Sequence, residues 1–268
     1  MGSIYILDES FKEHLIYRKG SEAFEISKYF QLTHIIHPIY YPIISNPQNA
    51  HPHQQANRRH RLRPYGYFLP SPPFRFPIPC TSLTLIGFTW RPNPCPTSQA
   101  LATMKTALAH GANFCNGGEF YGTPSYNSMT LLKQYFTENP ADAEKVVLSI
   151  KGGITPQMRP DGSPGGVKRS VDAVLEQLGG TKFLDLFECA RVDPNTPIET
   201  TMGALAEYVK AGKLGGISLS EVKAETIRRA AKVHPIAAVE VEFSLWATDI
   251  LENGVAEACA ELGIPIVA

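Results

Sequence analysis

From Leu83 onward the chain is a succession of short, nearly continuous apolar runs separated by amphipathic segments, and few folds accept that rhythm. The runs are LTLIGF, ANFCN, KVVLSIKGG, FLDLFECARV, KLGGISLS, IAAVEVEF and IPIVA. Strands exposed on one face alternate apolar with polar residues; continuous runs belong to strands buried on both faces, the signature of a parallel sheet covered by helices. The intervening segments have helical period: Val167, Val171, Val174, Leu175 and Leu178 share one face, as do Ile198, Met202, Leu205, Tyr208 and Val209. Thr196-Pro197-Ile198-Glu199 has the order of a capping box with Pro at the first helical position, and Gly212 follows the last turn. A helix through Ile250, Leu251, Val255, Ala258 and Leu262 is expected to end at Gly263, ahead of Pro265.

Repeated strand–helix units fit either a (β/α) barrel or a doubly wound sheet. The barrel is favoured on two grounds. No G-x-G-x-x-G follows a strand. Polar residues collect just after the strand runs, at Asn116 to Tyr121, Lys151, Arg191 to Asp193, Ser218 to Glu221 and Glu240 to Glu242, where a barrel builds its site. The expected fold is therefore α/β, of the (β/α)8 TIM-barrel type but incomplete at about seven strands, with a largely irregular N-terminal extension.

The domains are expected to be residues 1–82, rich in Pro and His and poorly ordered, and 83–268, the partial barrel. In the first of these, Arg58 to Arg63 (RRHRLR) reads as a solvated loop rather than a nucleic-acid patch, and His51 and His53 lack partners at metal-binding spacing. Twenty-five basic residues balance 25 acidic ones, so no global field draws the chain to nucleic acid or to an anionic membrane. The five cysteines, odd in number and free of C-x-x-C, point to no disulfide framework or metal site and to a reducing, cytoplasmic setting. No apolar stretch is long enough to span a bilayer. The expected partner is a small molecule, and nothing in the sequence sets the oligomeric state.

Lys151 ends an apolar run and precedes Gly152-Gly153, and Tyr121 lies just past the preceding run. A phenol beside an ammonium has its pKa drawn down toward neutrality, which makes it a usable acid for a carbonyl oxygen as hydride arrives at carbon. Two other readings stay open at this level: a structural ion pair with a packed ring, and a Schiff-base lysine as in barrel aldolases.

The motifs NFCNGGEFYG, VVLSIKGG, LDLFECARVDP, PIETTMGALAEYVKAGKLGGISLSEV and AAVEVEFSLW together resemble the aldo-keto reductases, most closely their fungal pyridoxal reductase branch. The resemblance runs from about Ile86 to Ala268. It implies a (β/α)8 barrel that uses NADPH, without a Rossmann fold, to reduce aldehydes and ketones, and in this branch pyridoxal to pyridoxine. By position it makes Tyr121 the general acid and Lys151 its modulator, with Asn116 as polar support where the wider family has aspartate. Ala190 stands where the wider family has histidine. Without that aspartate, Lys151 is expected to press harder on Tyr121.

The resemblance further assigns Ser220 and Glu240 to the nicotinamide amide and places Thr89 and Trp90 where a cofactor-approaching loop is usual. Arg191, Glu119 and Trp246 are candidates for substrate contact. The loop after the first strand is short, and the chain stops at GIPIVA, the seventh strand. Exposed sheet edges then predict a destabilised, aggregation-prone product with weak or no NADPH affinity, from a fragmentary or mis-spliced reading of a full-length reductase. The competing reading is a catalytically silent barrel fragment with only a binding or regulatory role.

Overall fold

The computed structural model describes residues 82–268, together with the backbone of three short strands at 3–5, 16–19 and 22–25. The chain divides into two units, Met1–Tyr67 and Phe68–Ala268. In the first, β1 (Ser3–Tyr5), β2 (Ile16–Lys19) and β3 (Glu22–Glu25) pair antiparallel in sequence order. The Arg58–Arg63 run, His51, His53 and Cys80 lie outside the described residues.

The second unit carries seven parallel strands: β4 (Ser82–Thr84), β5 (Phe114–Gly118), β6 (Val147–Gly152), β7 (Leu186–Cys189), β8 (Gly216–Ser220), β9 (Ile236–Glu240) and β10 (Ile266–Val267). Their order in the sheet is their order in the chain, with each strand paired to its predecessor. A doubly wound sheet reverses order at its midpoint; this sheet never does, and it curls into a nearly closed barrel.

Pleating sorts the strand residues into two layers. Cys115, Leu148, Ile150, Phe187, Ile217, Leu219 and Val239 face outward into one large core built with the helices. Val167, Val171, Val174 and Leu178 of helix Pro164–Leu178 are buried there, as are Ile198, Met202 and Leu205 of helix Ile198–Lys210, as their period requires. Phe114, Leu186, Ala237 and Ala238 form a second, separate apolar cluster, with Val147 and Val267 packed against it. That cluster plugs the lumen at the amino-terminal end of the strands.

Three local expectations are corrected. LTLIGF is not one strand: β4 ends at Thr84, Leu85 donates its N–H to Asn116 O at 2.8 Å, and Ile86–Thr89 coils into a helical turn. The apolar run continues past the strand because Leu85, fully buried, and Phe88 beyond it pack into the core. The helix expected from Ile250 to Leu262 is split into a 3-10 turn at Asp249–Leu251 and a helix at Val255–Leu262, because Gly254 takes φ 83° between them. Its end at Gly263, with φ 66°, is as expected.

The third correction concerns the capping box, which does not form. Pro197 takes the N-cap position of helix Ile198–Lys210 without a side-chain bond. Thr196 Oγ1 donates to Asp193 Oδ2 at 2.7 Å, and Glu199 accepts two bonds from Arg229 on the next helix, at 2.8 and 2.7 Å. Glu199 takes its side-chain partner from the neighbouring helix rather than from Thr196.

Candidate active site

Above the apolar plug the inward positions turn polar. On β5 the inward series is Phe114, Asn116, Gly118; on β6 it is Val147, Ser149, Lys151; on β7 it is Leu186, then Glu188. Strand register sets these side by side. Lys151 stands opposite Gly118 on one side and Glu188 on the other, Glu188 opposite Ser218, and Ser220 opposite Glu240.

Lys151 is the hub. Its Nζ donates to Asn116 Oδ1 at 3.1 Å and to Glu240 Oε1 at 2.5 Å, and lies 3.1 Å from Glu188 Oε1. Asn116 Nδ2 in turn donates to the other oxygen of Glu240. Glu188 is fully buried; its Oε2 accepts from Ser218 Oγ at 3.3 Å, while its Oε1 has proximity to the ammonium but no aligned hydrogen bond.

Tyr121 caps this cluster. The chain leaves β5 at Gly118 and turns back, so that the ring lies across that residue; a Cβ on Gly118 would meet it at 2.8 Å. Glycine is required here by the close approach of a ring, not by backbone angle. Thr89, itself buried, donates Oγ1 to Tyr121 O at 2.7 Å, and Ser128 N donates to the same oxygen at 3.0 Å, fixing the loop. Trp90 stacks on the ring at 5.4 Å and Phe120 meets it edge-on at 5.0 Å.

The electrostatics differ from the sequence expectation. Burial pushes the Tyr121 phenol above its ordinary range; Lys151 opposes this, but Glu240 and Glu188 act with burial. Lys151 has not lost its counter-charge where Asn116 replaces an aspartate: the next strands supply two carboxylates. Burial would depress Lys151, yet Glu188 and Glu240 together hold it above the usual ammonium range. An amine held charged this firmly is poorly suited to Schiff-base chemistry, which needs it neutral. Glu188 is raised, to about 7, chiefly by burial, with Lys151 opposing.

The structure brings together Tyr121, Lys151, Asn116 and Glu240, with Ser220 buried beside Glu240 and Thr89 and Trp90 against the Tyr121 loop. Arg191 is exposed at the mouth, donates to Ala190 O at 2.6 Å, and lies close enough to lower Tyr121 slightly. Glu119 is drawn away, to Arg169 Nη1 at 3.2 Å and Ser170 Oγ on helix Pro164–Leu178. Trp246 is 74% exposed, in the loop after β9. Glu188 was missed. Its signal was present: a carboxylate inside a run otherwise apolar enough to be buried on both faces needs a cation, and Lys151 is in the neighbouring run.

Residues 85–268 match the family model described as Aldo/keto reductase family. The chain is 47% identical over 195 residues to "Probable pyridoxal reductase 2" of Schizosaccharomyces pombe, an alignment covering 72% of this chain and 59% of that protein. It is 39% identical over 203 residues to "Putative pyridoxal reductase" of Saccharomyces cerevisiae, covering 70% and 57%. The chain thus spans less than three fifths of the length of either relative. Among solved structures, a thermostable aldo-keto reductase crystallised with the inhibitor epalrestat superposes with a TM-score of 0.61 at 22% identity, over 71% of this chain and 68% of that one.

Proposed function

The chain belongs to the aldo/keto reductase family, and we propose that it reduces an aldehyde or ketone, with pyridoxal as the substrate, by hydride transfer from NADPH and proton donation from Tyr121. The observation that carries this reading is a buried tyrosine folded across Gly118, the residue that register pairs with the buried Lys151, at the carboxyl ends of a parallel barrel. The family match and the names of the two yeast relatives support the reaction class and the substrate. Among the described residues no helix is long and apolar enough to cross a membrane, and a cytoplasmic setting is part of the same proposal.

The residues present fit a nicotinamide. Ser220 is buried at the lumen mouth, and its hydroxyl makes no hydrogen bond among the described residues, leaving it available to a carboxamide. Trp90, 46% exposed, offers an aromatic face beside Tyr121. Glu240 is already bound to Lys151 and Asn116, so it serves the cluster before it serves an amide. When bound there, NADPH would supply the hydride. Tyr121 holds the proton that the carbonyl oxygen receives, Lys151 and Asn116 fix the polar floor beneath it, and the ring of Trp90 excludes water from one side.

Burial keeps Tyr121 protonated well into alkaline solution, so the acid is present at every physiological pH. A second reading, a barrel that binds without turnover, draws on that same displacement, since a less acidic phenol is a weaker donor. NADPH oxidation with pyridoxal separates the two. The reductase reading expects Tyr121→Phe to lose about 10²–10⁴-fold in kcat while retaining its fold. Equal rates for the native chain and this variant would sink it.

A further inference from the structure

Glu188 belongs to none of the roles assigned above, yet it is the most deeply buried charge-bearing group of the cluster. Its place follows from register: opposite Lys151 on β6 and opposite Ser218 on β8, in one inward layer. One ammonium faces two carboxylates, Glu188 at 3.1 Å and Glu240 at 2.5 Å. A single positive charge neutralises one of them; the other must carry a proton or remain an uncompensated buried charge, which is costly.

Glu240 reaches the mouth, with 24% of its side chain exposed, and both its oxygens are engaged by Lys151 and Asn116. Glu188 has a neutral hydroxyl at one oxygen and no aligned donor at the other. The proton therefore resides on Glu188. We propose that Glu188 is a positioning residue, a buried carboxyl that exchanges a proton and, through Lys151, sets the electrostatic state of Tyr121.

The inference rests on the reductase reading for its functional meaning, but not for its physical content. The charged or titratable groups facing Glu188 are Lys151 from β6, Glu240 from β9, Tyr121 from the loop after β5, and its chain neighbour Cys189; β8 contributes only the uncharged Ser218. With Glu188 protonated, Glu240 is the one carboxylate that joins burial in opposing the pull of the ammonium on the phenol. With Glu188 ionised, that opposition doubles in number of charges. The gain and loss of this one proton falls near neutrality, where burial has raised the group.

Infrared difference titration of the native chain between pH 5 and 9, with Glu188→Gln beside it, tests the first half. A protonated-carboxyl band that disappears as pH rises through neutrality, and is absent from Glu188→Gln, is expected. Tyrosine ultraviolet difference spectra, native minus Tyr121→Phe, test the second: the Tyr121 band is expected to shift over the same pH interval and to lose that shift in Glu188→Gln.

Absence of the carboxyl band, or a Tyr121 band indifferent to Glu188, overturns the proposal. If Glu188→Gln does not fold, Ser218→Ala keeps the carboxyl and removes its donor, and the infrared midpoint must then move upward; an unmoved midpoint is equally fatal. Where both spectroscopic signals appear but NADPH oxidation with pyridoxal does not exceed the Tyr121→Phe rate, the reductase reading fails and the coupling of Glu188 to Tyr121 stands.

Discussion

The two ends of the barrel lumen are lined by the same strands at positions two residues apart, and they do opposite work. At the amino-terminal end Phe114, Val147 and Leu186 close the interior with hydrocarbon. One pleat further along, Asn116, Ser149 and Glu188 take their places, and Lys151 lies one pleat beyond Ser149. The lower layer is held by area removed from water and carries no titratable group, so it is insensitive to pH. The upper layer is held by an ammonium among acceptors and depends on which of them carry protons. A change of two residues in strand register would exchange them, so the sheet registration that stabilises the molecule also places its buried polar cluster.

The sharpest way to break this contrast is Lys151→Met. It leaves Glu188 and Glu240 without their cation and is expected to cost about 3–5 kcal/mol at pH 8, with part of the loss recovered at pH 5.5, where Glu188 is protonated; urea denaturation at the two pH values measures both. Leu186→Ala, in the plug, is expected to cost about 2–5 kcal/mol, the same at either pH. A pH-dependent loss at Leu186 would mean that the two layers are not separable.

A smaller effect needs no substitution at the hub. Glu188 has its folded-state value raised from 4.5 to about 7, so between those values the folded chain binds more protons than the unfolded one. Its stabilising contribution is complete below the unfolded value and is lost as pH rises through the folded one. Thermal melts at pH 5, 6.5 and 8 are expected to fall in that order, and the slope to vanish in Glu188→Gln. The carboxyls that the fold depresses, Asp142, Asp172, Asp193 and Glu199, act below this window and in the opposite direction.

The strands were legible because burial on both faces leaves continuous apolar runs, and the barrel because no G-x-G-x-x-G follows a strand and polar residues gather just past the runs. Tyr121, Lys151 and Asn116 were legible as polar residues ending such runs. What the sequence concealed was partnership across strands. Glu188 sits inside its run rather than after it, and only register places it beside Lys151. The same blindness produced the expected capping box: Thr196 and Glu199 have the right spacing, but Asp193 and Arg229 reach them first. It also reversed the expected effect on Tyr121, since a missing aspartate on β5 is visible in the sequence while carboxylates arriving from β7 and β9 are not.

The strictly sequential strand order has a kinetic consequence. Each strand from β5 to β10 pairs with the strand made just before it, so every addition to the sheet closes only the loop of one helical crossover. Entropic costs of that kind are modest and similar at each step. A chain emerging from the ribosome can lay down the barrel in the order of its synthesis, and Lys151 and Glu188 meet as soon as the fourth of the seven strands arrives.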